Sequence, residues 1–115
     1  MMQQLIHKLQ TEQCNLVILH DGKIHTFDGH GIRTLYGLLN SQPELLYNSK
    51  IAVKAVGRTA ACAMAEGKVA EVFAEFISDQ ACAVLEESGV KISFDTKLNH
   101  EAFLDVWKRL GELNN

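Results

Sequence analysis

At 115 residues and 47% hydrophobic side chains, the chain is long enough to bury one core and too short for several modules. A formal net charge of −3 and a pI near 5.9 exclude a dedicated binder of nucleic-acid polymers, which needs a basic face. Cysteines 14, 62 and 82 form no C-x-x-C pair, so a disulfide scaffold or a closed zinc site is not expected, and a reducing cytoplasm is the natural compartment. No segment nears the ~18 apolar residues of a membrane span, so no membrane partner is expected.

In chain order, Leu5, Ile6 and Leu9 among polar neighbours predict a short amphipathic helix over 3–13 that covers something with one side. Asn15–His20 and Lys23–Phe27 read as strands around Asp21-Gly22, a dipeptide suited to the positive φ angles of a two-residue hairpin turn. Ile32, Leu35, Tyr36, Leu38 and Leu39 repeat at helical spacing until Pro43 stops the pattern. The next helix is predicted to start at Asn48 or Ser49, to run through the alanines of 60–65, and to end at Gly67 as its left-handed residue. Val69–Ile77 reads as a strand, Ser78 as the cap of a helix over 79–88, Gly89 as its end, and Val90–Phe94 as a parallel strand completing a β-α-β unit. Phe103, Val106, Trp107 and Leu110 share one face of a closing helix.

The result is a single α/β domain over 1–115. Its architecture is a three-layer α/β/α sandwich on a mixed four-stranded sheet, an N-terminal β-hairpin joined to a parallel β-α-β unit.

Ligands in such sheets collect beyond the carboxyl ends of strands, where helices begin and unpaired N–H groups point outward. On the reading above, Lys50, Lys54 and Arg58 form a cation stripe at one helix start, where the dipole opposes them. A solvated edge accounts for such a stripe at a cost of only tenths of a kcal/mol. The sharper reading has Lys54, with Arg58 and with Arg33 beside Gly31, meeting a phosphate or carboxylate. Ser78 and Asp79 fit plain capping, and Asp79 or Glu75 is an internal partner for the cations. The hairpin register puts His20 and His25 diagonally on one face, but no third ligand accompanies them, so they read as rim histidines; Cys62 and Cys82 read as small core residues.

The stretches Asp21-Gly-Lys-Ile24, Gly31-Ile-Arg-Thr-Leu-Tyr-Gly-Leu-Leu39, Ala52-Val-Lys-Ala-Val-Gly-Arg-Thr-Ala-Ala61, Phe73-Ala-Glu-Phe-Ile-Ser78 and Val84-Leu-Glu-Glu-Ser-Gly-Val90 together resemble a family of bacterial domains of unknown function grouped with the cytidine deaminase-like fold. Zinc deaminases carry a His or Cys followed by Ala-Glu at one helix start and Pro-Cys-x-x-Cys at the next. Here the two starts, as read from sequence, are Ser-Lys-Ile-Ala-Val-Lys and Ile-Ser-Asp-Gln-Ala-Cys82, too few ligands for that chemistry. The resemblance carries over the Lys-x-Val-Gly pattern at Lys54, Val56 and Gly57, with Ser78 and the Gly31-Ile-Arg33 segment at the border of the cleft. Two departures stand out: Val53 where the family often has an acidic residue, and the helix around Trp107 in place of a Cys-Pro segment.

The expectation is therefore a zinc-free deaminase-like domain, without a cofactor, that binds a small anionic metabolite or nucleotide at two helix starts through Lys54, Arg58, Ser78, Asp79, Arg33, Gly31 and Gly57; whether it catalyses a reaction is left open. The alternative is an inactive structural module that forms a homodimer through its first and last helices. A metal-dependent nucleoside deaminase ranks third.

Overall fold

The computed structural model describes residues 2–12, 14–27 and 31–109, with only the backbone of residues 31, 32 and 107. The closing contacts expected of Trp107 and Leu110 lie outside the described residues. The elements are α1 (Met2–Thr11), β1 (Leu16–His20), β2 (Lys23–Phe27), α2 (Gly31–Ser41), a 3-10 turn over Pro43–Leu45, β3 (Lys50–Val56), α3 (Arg58–Glu66), β4 (Glu71–Ser78), α4 (Asp79–Glu87), β5 (Lys91–Leu98) and α5 (His100–Arg109). Among the described residues no helix is long and apolar enough to cross a membrane.

The sheet has five strands in the order β2-β1-β3-β4-β5, one more than the sequence reading supplied. β1 is antiparallel to both of its neighbours, while β3, β4 and β5 run parallel. The additional strand is β3. Residues 50–56 were expected to open a helix, since Lys50, Lys54 and Arg58 fit a four-residue period and the alanines favour helix. The β-branched Ile51, Val53 and Val56 decide otherwise. Placed between β1 and β4, this segment is buried on both faces, and a strand covered twice shows an apolar run instead of alternation. Ser49 therefore caps no helix; its buried hydroxyl donates to the Leu46 carbonyl at 2.7 Å as the chain turns into β3.

The hairpin forms as expected, with Asp21 at φ 53° and Gly22 at φ 77°, and His20 paired with Lys23. One face of the sheet, through Leu16, Ile18, Ile51, Val53, Val72 and Ala74, packs under α2, α3 and α4 in the larger core. Both crossover helices lie on that face, as successive right-handed connections require. The other face, through Val17, Leu19, Ala52 and Phe73, is covered by Leu5 and Leu9 of α1. α1 thus covers the sheet with one side, as its spacing predicts. Ser78 caps α4, its Oγ accepting from the Ala81 N–H at 3.0 Å, and Asn99 caps α5, its Oδ1 accepting from the Ala102 N–H at 2.8 Å.

The two crossover helices end alike. In α4, Val90 N–H donates to Leu85 O and Gly89 N–H to Glu86 O, with Gly89 at φ 78°. In α3, Val69 N–H donates to Met64 O and Lys68 N–H to Ala65 O, so the left-handed position falls on Lys68 at φ 59° and not on Gly67. Gly67 has ordinary helical angles and is needed for a different reason, because a β-carbon there would lie 2.8 Å from Leu46 Cβ and Cδ1. Adjacent substitutions should then act with opposite sign. Lys68→Gly is expected to stabilise the fold by about 1 kcal/mol by relieving the left-handed side chain, and Gly67→Ala to destabilise it by about 1–3 kcal/mol through overpacking. Urea unfolding monitored by circular dichroism reads both.

Candidate functional site

The topology brings four helix starts to one edge of the molecule. α2 follows β2, α3 follows β3, α4 follows β4 and α5 follows β5, and these four strands point the same way. Val56 is paired with Ile77, so the starts of α3 at Gly57 and of α4 at Ser78 are neighbours, and α2 packs beside α3. With β3 a strand, the first of the two expected starts moves from Ser49 to Gly57.

The seven candidate residues divide accordingly. Gly57 is the N-cap of α3 and Arg58 its exposed first residue. No side chain caps α3, and its first turn holds no acidic residue. Gly31 and Arg33 open α2, with Arg33 exposed. Ser78 is fully buried with its hydroxyl committed to the α4 cap, while Asp79 is exposed in that helix's first turn, where its charge complements the dipole.

Lys54 does not join them. It lies in mid-β3 in phase with Ala52, on the face that α1 covers, close enough for its ammonium to act on the Cys14 thiol. The register sets it beside Glu75, between the pairs Val53–Ala74 and Ala55–Phe76, but the two side chains make no ion pair within 4 Å. Lys50 stands opposite Glu71 with 3.9 Å between Nζ and Oε1, a half-exposed contact that contributes little. The conflict between three cations and a helix dipole therefore vanishes, since two of the three are not on a helix.

A residue outside the candidate set dominates this edge. Phe103 of α5 is 2% exposed, and its ring lies against Gly57, where a β-carbon would come within 2.8 Å of Cε2. The glycine at the start of α3 thus admits an aromatic ring of the same chain. Its spacing on an amphipathic helix marked Phe103 as core, but nothing in the sequence tied it to residue 57.

The buried thiols carry little reactivity. Burial raises the Cys14 thiol above its ordinary value, aided by the charge of Glu12; burial also raises Cys82, aided by its hydrogen bond to Glu86. Among the described residues no three His, Cys, Asp or Glu side chains converge as a metal site requires. The α4 start offers Cys82 alone, and the true α3 start reads Gly57-Arg58-Thr59.

Two open cavities lie elsewhere. One, of about 480 Å³, runs between α1 and β2 past Gln4, His7, Lys8, Thr11, Glu12 and Ile24. The other, of about 460 Å³, lies at the opposite end from the helix starts and is lined by His20, Leu39, Glu44, Tyr47, Glu66 and Lys68 among others.

Two measurements test this geometry. Gly57→Ala is expected to cost about 1–3 kcal/mol, and Phe103→Leu in the same chain should recover part of that loss, because the clash is with the ring edge; independent sites would show simple additivity. For the thiols, a raised folded-state pKa means that the stability they confer is complete below the unfolded thiol value, ~8.5, and is lost as pH rises through the folded one. The urea midpoint should therefore fall more steeply above about pH 9 in the native chain than in Cys14→Ala/Cys82→Ala.

A family model described as "Domain of unknown function (DUF1893)" matches residues 4–100. The crystal structure of a DUF1893 family protein (TM1506) from Thermotoga maritima is similar to this fold at a TM-score of 0.71 and 20% sequence identity, covering 84% of this chain. The chain spans 65% of that protein's length. No curated protein matches the chain. The element order and the match over most of the sequence lead to one identification: the chain belongs to the DUF1893 family.

Proposed function

We propose that the chain is a single, zinc-free, cytidine deaminase-like domain of the bacterial cytoplasm that binds a small anionic metabolite, such as a nucleotide, where α3 begins. One observation carries the reading: α3 opens with no side-chain cap and no acidic residue, and exposed Arg58 is its first residue. Free N–H groups and a guanidinium at one helix start together favour a phosphate. Arg33, in the first turn of the adjacent α2, adds a second cation to the same edge. The deaminase-like assignment draws support from a hairpin followed by successive parallel crossovers, with the site at the strand ends where such sheets hold ligands. Lys54 drops out of this site, as does Ser78, whose hydroxyl is buried.

The packing of Phe103 on Gly57 favours a second reading, a non-catalytic interaction module whose cleft has been filled by α5 and which pairs with a second copy. One experiment separates the two. In thermal-shift measurements with inorganic phosphate and nucleotides, the first reading expects a stabilisation that grows with the logarithm of ligand concentration, near 2.7 kcal/mol at about 100-fold over the dissociation constant. Arg58→Ala should abolish it and Lys54→Ala leave it intact. No stabilisation by any phosphate, together with a dimer in sedimentation, sinks the first reading and supports the second.

A further inference from the structure

A separate candidate lies at the end of the molecule opposite the helix starts. α2 and α3 finish there, and neither has a basic residue in its last turn, so no cationic side chain within either helix offsets the partial negative charge of its carbonyl end. The cavity of about 460 Å³ lies between these two ends, and Glu44 and Glu66 both line it. Among the described residues neither carboxylate makes an ion pair within 4 Å. Leu39, Pro43 and Tyr47 supply an apolar wall, and Tyr47 is 60% exposed, unusually open for an aromatic side chain.

The wall is also held in place. Asn48 and Lys68 both occupy left-handed backbone conformations, at φ 57° and 59°, and the Asn48 N–H donates to the Lys68 carbonyl at 2.8 Å. This ties the Tyr47 segment to the end of α3, fixing one side of the cavity relative to the other. The volume lies within the ~300–1,000 Å³ usual for small-molecule pockets.

We infer that this cavity binds a small organic cation, a primary ammonium carried on a short apolar or aromatic body. The body packs on Tyr47, Leu39 and Pro43, and the ammonium lies toward Glu44, Glu66 and the carbonyl ends of the two helices. Tyr47 adds attraction between its ring face and the cation. Lys68 is the cation already at the rim, and it opposes the ligand. This site is independent of the anion site proposed at the start of α3, and neither stands or falls with the other.

Amide chemical shifts of isotopically labelled protein, titrated with benzylammonium and in parallel with its neutral analogue benzyl alcohol, provide the test. Saturable shifts confined to the amides around His20, Tyr47, Gly67 and Lys68 are expected with the amine, with a dissociation constant of order 1 mM, and none that saturate with the alcohol. Glu44→Gln/Glu66→Gln should weaken amine binding about tenfold, while Lys68→Asn, which keeps a residue tolerant of the left-handed conformation, should tighten it severalfold. Both changes are at exposed positions, and the spectra report directly whether each variant is folded. Shifts that fail to saturate, that the alcohol reproduces, or that persist unchanged in the double glutamine variant overturn the inference.

Discussion

The burial of β3 on both faces and along both edges is the constraint on which the rest of the molecule depends. It pairs with β1 on one side and β4 on the other, carries α1 over Ala52, and faces the α2–α3–α4 layer with Ile51 and Val53. A parallel strand in that position must be followed by a helix at its carboxyl end, and Gly57 is where the chain makes the change. From that point come the alignment of α3 with α4, the juxtaposition of Gly57 with Ser78, and the contact of Phe103 with Gly57. An interior segment short in polar groups also explains why Lys50 and Lys54 are the only charges on β3: each lies on the α1 side, where a long stem can reach toward the periphery.

The two ends of the molecule differ because the strands and helices are directional. Helices that begin together also finish together, so arginines at the starts of α2 and α3 are matched by carboxylates at the far end. Glycine has a different task at each pole. Gly57 gives room to an aromatic ring, and Gly67 gives room to Leu46; neither position needs a positive φ. The left-handed conformations fall instead on Asn48, Lys68 and Asp21, with Gly22 and Gly89 the glycines that share them. A glycine before a helix can thus serve internal packing, as the Phe103 contact illustrates.

Legibility in the sequence followed how local each signal was. The Asp21-Gly22 hairpin and its register, the Ser78 cap, the Gly89 terminus and the one-sided burial of α1 all rest on interactions within a few residues, and each is found where the pattern put it. Residues 50–56 carried two compatible periodicities, and the choice between them belongs to tertiary burial, which a local window does not contain. That one substitution of strand for helix moved a helix start by eight residues, and it separated Lys54 from Arg58 by placing Lys54 on the face of the sheet away from α3. The strand β5 proved longer than the apolar run Val90–Phe94 that announced it, because an edge strand tolerates Asp95, Thr96 and Lys97 with side chains in solvent. The contact between Phe103 and Gly57 spans nearly half the chain and left no trace in the spacing of either element.

The most direct measurement of this account is native-state hydrogen exchange at the amides of β3. A strand paired on both sides and buried on both faces opens only with the whole molecule, so the amides of Ile51, Val53 and Ala55 should belong to the slowest class, exchanging with the free energy of global unfolding. Exchange of those amides within minutes, while β1 and β4 remain protected, would contradict the central position of β3 and with it the placement of every helix start described above.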